Sequence, residues 1–366
     1  MSKTTPPSIP HFAACLMLGC AGVASAAEGF EPRYNLAGSL GGEMFAPPNE
    51  TGWLAAMVGT HIDVSRVTGN DGKAMTRPIP GGVVGLPASL PAGFSPSYGA
   101  GTAAIEATGT MTRWDLVFGY LMPGEIGGGR MVFAVDLPFA RKNQSMMPHA
   151  GTARLDWPAG APGALRPAVE AQFGAQYQAA LQAQGAGASG EISGIGDVEV
   201  LAGWQYLGEK LRVLASTALV LPTGKYATDA KPDIGSGNFT TLRPALQLAY
   251  LPTPKLALAA KLSVGLNTRN RDNQLRSGNW AGVETAIGYM TPIGVLGLHA
   301  IRLQQYQDDD NNPLGPSRIR STNAGAFFTT KIPGLDAALT IQHIATLSSR
   351  NAKDANFTQV RLIKVF

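Results

Sequence analysis

His61 and Asp63 stand two residues apart, the spacing that puts both side chains on one face of a β-strand. An imidazole beside a carboxylate is the start of a general-base pair, but such a pair also needs a nucleophile. No serine stands at a telling position beside them, and serine is too frequent for spacing to select one. His11 falls in the N-terminal leader, His149 in an expected loop, and His299 and His343 on ambiguous or outward parity. The run Asp308-Asp309-Asp310-Asn311-Asn312 clusters oxygens of the kind calcium takes. Its spacing is not that of an EF-hand loop and no Glu closes it, so a solvated turn is favoured, with a divalent-ion bridge to lipopolysaccharide as the alternative. Cys15 and Cys20 both lie within the first 26 residues, which leaves a processed chain no thiolate. The residue types therefore predict no enzyme, no metal site and no cofactor.

Alternation places charge more informatively. His61, Asp63, Arg113, Asp115, Asp136, Glu199, Arg243, Lys261 and Glu284 each fall opposite the expected apolar face of a strand-like run. Together they predict a polar interior in which both signs of charge meet. Mutual salt bridging and hydration is the plain reading; a selectivity ladder or a gate is the functional one. Trp53 and Trp280 share the inward parity and are candidate contacts for an apolar ligand. A one-residue bulge would reverse any of these assignments.

The elements that position these residues are strands. From Gly196 onward the chain falls into runs with period-two patterning. In the clearest, Leu256, Leu258, Ala260, Leu262, Val264 and Leu266 share one face while Lys255, Lys261, Ser263 and Asn267 share the other. Patterning predicts twelve strands, with fourteen as the alternative, over 52–64, 103–121, 129–139, 197–207, 210–222, 239–251, 254–267, 278–291, 293–306, 317–332, 334–348 and 356–366. Their connections alternate between short turns, as around Pro123-Gly124, Gly208-Glu209 and Pro333-Gly334, and long ones, as at 65–102, 140–196 and 349–355. A sandwich has no reason to sort its loops by length. An antiparallel transmembrane β-barrel does, with short periplasmic turns and long extracellular loops.

Composition agrees. The 366 residues carry 45 glycines, 15% charged residues and a formal charge of +4, and no basic cluster suggests nucleic acid. Mean hydropathy is +0.03, and no apolar stretch long enough for a membrane helix follows the N-terminus. Residues 1–26 read as a signal peptide: Lys3 supplies charge, Phe12 to Val23 an apolar core, and Ala24-Ser25-Ala26 a cleavage pattern. Lipoprotein processing at Cys20 is the alternative. Residues 27–51 are Gly- and Pro-rich and form a candidate plug for the barrel of 52–366. In the longest connection Val169, Phe173, Tyr177 and Leu181 recur every four residues, predicting an amphipathic helix near 163–184. It could fold over the barrel mouth or decorate the exterior.

Several segments resemble a known family. They are Leu221-Pro222-Thr223-Gly224-Lys225-Tyr226, Asp233-Ile234-Gly235-Ser236-Gly237-Asn238-Phe239, Arg276-Ser277-Gly278-Asn279, Gln305-Tyr306-Gln307-Asp308-Asp309-Asp310 and Gly194-Ile195-Gly196-Asp197. In their order along the chain they resemble the outer-membrane family associated with meta-pathway phenol degradation, akin to the long-chain fatty-acid channels. The resemblance covers most of residues 50–366, although the helical connection departs from it. It implies a barrel that passes small hydrophobic or aromatic solutes, in contact with outer-membrane lipid and lipopolysaccharide. Taken alone, Pro222-Thr223-Gly224 reads first as a turn launching a loop. The terminal Phe366 is the aromatic residue that barrel-insertion machinery reads in such proteins. A narrow porin for polar solutes and a closed structural or adhesion barrel are the alternatives.

Overall fold

The computed structural model describes residues 33–35, 38–45, 51–86, 92–226, 231–312 and 317–366. The signal-peptide reading falls outside them. Twelve strands form the wall: β1 Gly52–Val67, β2 Gly101–Ile126, β3 Gly129–His149, β4 Glu199–Leu207, β5 Leu211–Val220 and β6 Thr241–Thr253. They continue as β7 Leu256–Asn267, β8 Trp280–Thr291, β9 Gly294–Gln305, β10 Arg320–Ile332, β11 Ala337–Arg350 and β12 Lys353–Val365. Every neighbouring pair is antiparallel, and β1 pairs with both β2 and β12, so the sheet closes on itself. Closure leaves no edge, which is the condition for strands to stand in hydrocarbon.

The outer face is apolar because alternate residues of each strand are apolar. Leu242, Leu246 and Leu248 of β6 and Leu258 and Leu262 of β7 are exposed, while Arg243, Lys261 and Ser263 between them are buried toward the interior. Strands β2 and β3 run to 26 and 21 residues, far more than the ~10 that cross a membrane, and so project beyond it. The projecting part is widened by Thr76–Ile79 on β2 and by Gly190–Ile195 on β3.

Two connections differ from the sequence reading. The β2–β3 turn is at Gly127 and Gly128, not near Pro123-Gly124. Both glycines have positive φ, +60° and +77°, as a two-residue turn between twisted strands requires. The β11–β12 connection, expected to be long, closes over Asn351-Ala352, with Asn351 at φ +50°. Asparagine tolerates that left-handed conformation, so the strands pair further out than their hydrophobic pattern extends.

A short helix α1, Gly42–Phe45, precedes the barrel, and α2 spans Arg166–Ala188. Phe173, Tyr177 and Leu181 are buried on the inner side of α2 against Ile79, Val84, Tyr98, Ala103 and Leu155. Rings of Tyr98 and Phe173 lie 5.0 Å apart. The helix is thus packed on the extracellular extension of the wall by the face its four-residue spacing predicts.

Candidate functional site in the barrel interior

Residues 33–35 and 38–45 run down the inside of the barrel and meet its wall at every level. At the extracellular end of β6, Arg33 donates to the Gly237 carbonyl at 2.8 Å and to the Phe239 carbonyl, and lies 3.8 Å over the Phe239 ring. It also forms an ion pair with Asp197 at 3.1 Å. Below it, the Tyr34 hydroxyl donates to Glu284, and the Asn35 amide donates to Glu199 at 3.0 Å. Lys261 donates to the Gly38 carbonyl at 2.8 Å, and Arg361 to the Ser39 carbonyl at 2.9 Å. Leu40 donates its N–H to Glu284 at 2.8 Å, and its carbonyl accepts from His299 Nδ1 at 2.9 Å. At the periplasmic end, Phe45 stacks on Phe327 at 5.9 Å, and its carbonyl accepts from Arg212.

The interior charges that parity predicts pair with one another. Lys261 lies 3.0 Å from Glu284, and Arg243 pairs with Glu199 while donating to the Arg33 carbonyl at 2.8 Å. Arg113 donates to Asp115 at 2.7 Å and lies 4.0 Å from Asp136. Burying a charge is tolerable only with such partners. Trp280 is fully buried, with its ring edge-on to Tyr34 at 5.5 Å. Parity thus brings Glu199, Arg243, Lys261, Glu284 and Trp280 to the segment, and Arg113, Asp115 and Asp136 to the wall beside Glu199, which is the ladder partner of Asp136.

His61, Asp63 and Trp53 are corrections: all three are on the outer face. On β1 it is Val58, Thr60, Ile62 and Val64 that face inward, with Val58 and Thr60 buried. Trp53 is 67% exposed and packs edge-on to Tyr120 at 5.2 Å, at the periplasmic end of the wall. His61 meets Thr112 at 3.1 Å, where the exterior turns polar toward the extracellular side. The expectation assumed that the apolar face of every strand meets lipid. On β1 the aliphatic face instead meets an apolar part of the interior, and the outer face is completed by Trp114 lying over Gly59.

That part of the interior holds a cavity of about 350 Å³ in the extracellular half of the barrel. Ile62, Val64, Val67, Met111, Ile301 and Phe357 form an apolar wall. Arg113, two residues along from Met111 on the same face, and Lys142, the ladder partner of Met111 on β3, line the cavity beside that wall together with Gln144, and Arg33, Tyr34 and Asn35 bound it on the side of the segment.

The glycine-rich motifs meet at one point. The strand run between Gly190–Ile195 and β4 is interrupted at 196–198, where Asp197 accepts from Gly224 N at 3.0 Å and from Ser236 N at 2.9 Å. Thr223 Oγ1 accepts from Val198 N at 2.8 Å and donates to the Gly196 carbonyl at 3.1 Å. Gly224 and Gly235 approach so closely that a Cβ on either would stand under 3 Å from the other's backbone. Asp197, Gly237 and Phe239 of these motifs are the ones that hold Arg33. Sequence reading missed Arg33, Arg212, His299 and Arg361. For Arg212 and Arg361 the signal was present, since each alternates with outward residues.

A closed antiparallel barrel with an apolar exterior and a charged, occupied interior defines a transmembrane β-barrel of the bacterial outer membrane. The chain belongs to the family described as "Putative MetA-pathway of phenol degradation", whose model matches residues 93–362. Among solved structures it is similar to an outer membrane channel from Pseudomonas putida F1, with 15% identity, TM-score 0.57, and coverage of 87% of this chain and 97% of that one. Lower in similarity is the β domain of the Bordetella autotransporter BrkA, with 10% identity, TM-score 0.45, and coverage of 87% and 100%. The monoaromatic hydrocarbon channel CymD has 12% identity, TM-score 0.39, and coverage of 94% and 97%. No curated protein matches the chain by sequence.

Proposed function

We propose that this barrel is a passive channel for small hydrophobic or aromatic molecules, and that the 350 Å³ cavity is where they first bind. The observation that carries the reading is the inward-turned aliphatic face of β1. A channel for ions or sugars gains nothing from Ile62, Val64 and Val67 lining its interior. A cavity of about 150 Å³ with apolar walls suffices for benzene, so this one has room for a single-ring compound with substituents. Membership of a family named for phenol degradation supports the aromatic class.

Arg113, Lys142 and Gln144 beside the apolar wall suit a solute that carries one polar group on an apolar ring. Residues 33–35 and 38–45 act as a plug, and Arg33, Tyr34 and Asn35 bar the direct route downward. A solute leaves the cavity when the plug shifts, or sideways through the wall. Ile62 and Phe357 take the role of solute contacts in place of Trp53, on the outer face, and Trp280, which is fully buried and does not line the cavity. Phe366 is exposed at the end of β12, with its N–H bonded to the Trp53 carbonyl at 2.8 Å.

Flux of toluene, phenol and a small sugar into liposomes carrying the purified protein, with ion conductance in planar bilayers, tests the reading. Aromatic uptake with low conductance is expected. Steady conductance without aromatic preference would make the protein a narrow porin, and absence of any flux a structural barrel.

A further inference from the structure

Strands β9, β10 and β11 carry three arginines on the outer face near their extracellular ends. Ile301 and Leu303 are buried toward the interior, so Arg302 between them points outward. Ser321 lines the interior cavity, which turns Arg320 outward. Arg320 is directly opposite Arg350 across the β10–β11 ladder, and Arg302 is opposite Thr322, two positions along β10. Like charges directly opposite in a ladder destabilise it. Among the described residues no carboxylate pairs with any of the three. Arg302 donates to Thr322, and Arg350 to Asn70 at 3.1 and 2.6 Å. Asp308 in the adjoining loop is already held by Arg318 at 2.8 and 2.9 Å.

The level of these residues on the barrel matters as much as their charge. Leu296 and Leu298 stand on the outer face of β9, 51% and 62% exposed. Arg302 lies above Gly294, at the periplasmic turn, by roughly 20 Å for a tilted strand, and Arg320, level with Gln304, by roughly 25 Å. The apolar band of such barrels is about 25 Å tall, so Arg320 and Arg350 sit where outer-leaflet headgroups begin, and Arg302, about 5 Å lower, reaches them with its long side chain.

We propose that Arg302, Arg320 and Arg350 form a binding site for the phosphate groups of the phosphorylated glycolipid of the outer leaflet. Guanidinium groups match phosphate oxygens in a two-pronged geometry, and an anion between Arg320 and Arg350 offsets their repulsion. The bound lipid holds the β9–β11 side of the barrel at a fixed height in the membrane. The site is separate from the interior, so it stands whatever solute the channel carries.

Native mass spectrometry of the full-length protein in detergent, titrated with bis-phosphorylated lipid A, tests this. Wild type is expected to retain the lipid, and Arg320→Gln and Arg350→Gln to bind it at least about tenfold more weakly. Lipid A stripped of phosphate should bind wild type no better than it binds the variants. Because all three residues are outward, solute flux of the variants should match wild type, which confirms that they are folded. Equal retention of phosphorylated and stripped lipid overturns the proposal, as does unchanged binding by both variants. Displacement of the lipid by an equal concentration of inorganic phosphate would overturn the lipid assignment in favour of a free-anion site.

Discussion

Arg33 and Asp197 form an ion pair of 3.1 Å whose side chains are 2% and 8% exposed, one from the N-terminal segment and one from the interrupted strand before β4. Asp197 is held by Gly224 N and Ser236 N, so the glycine-rich loops exist in part to aim one carboxylate at one guanidinium. Removing one member of a buried pair strands the other and costs about 3–5 kcal/mol. Arg33→Ala should therefore loosen residues 33–35 and raise ion conductance in planar bilayers. Asp197→Asn should act in the same direction but less, since it keeps oxygen and shape. Unchanged conductance and unchanged protease resistance of the segment in Arg33→Ala would show that the other wall contacts suffice.

Trp280 has room for its indole only because position 265 is glycine. A Cβ at Gly265 would collide with the Trp280 indole, which is fully buried and edge-on to Tyr34. Gly265→Ala should destabilise the barrel by about 1–3 kcal/mol, as overpacking does. Urea unfolding followed by the gel-mobility shift of folded barrels measures it. Gly127→Ala, at a turn open to solvent but with φ +60°, should cost about 1 kcal/mol through the backbone alone.

Asp308 and Arg318 tie the β9–β10 loop together at its exposed surface. The two-pronged hydrogen bond from Arg318 holds the Asp308 carboxyl below its ordinary value of 3.8. A depressed pKa in the folded state means that the contribution is full above 3.8 and is lost as pH falls through the lower folded value. Hydrogen exchange of residues 306–312 should accelerate relative to Asp308→Asn only in that acid window. Because the pair is exposed, the effect should be small and should shrink further at high salt.

The wall was legible because lipid imposes alternation on every crossing strand, and the twelve spans follow from β6, β7 and β9 as plainly as from any pattern. Interior charge was legible for the same reason where the strand's greasy face meets lipid, as at Lys261 and Glu284. On β1 the premise fails. Its inner face is aliphatic, so His61, Asp63 and Trp53 take the wrong side, and the very residues that line the cavity read as lipid-facing. The contacts of residues 38–45 were illegible, because the wall bonds largely to backbone groups of Gly38, Ser39, Leu40 and Phe45, which leave no mark on side-chain type. Hairpin ends were set by single residues able to take positive φ, Gly127, Gly128 and Asn351, rather than by the Pro-Gly pair nearby.

The orientation of β1 carries the functional reading, so it can be tested directly. Ile62 faces the cavity and His61, its neighbour, faces outward beside Thr112. Ile62→Asn puts an amide into the apolar wall and removes a buried aliphatic group, a change of about 2 kcal/mol in the affinity of an apolar solute. That corresponds to roughly thirtyfold weaker capture. Toluene flux into liposomes should fall accordingly, while the sugar control stays at background. His61→Asn keeps a polar group at the outer rim and should leave toluene flux at the wild-type level. If His61→Asn lowers flux and Ile62→Asn does not, β1 presents the opposite face to the interior, and the aliphatic cavity cannot be the solute site. If both variants transport normally with the barrel folded, the solute takes a route that avoids β1, and the apolar wall is packing alone.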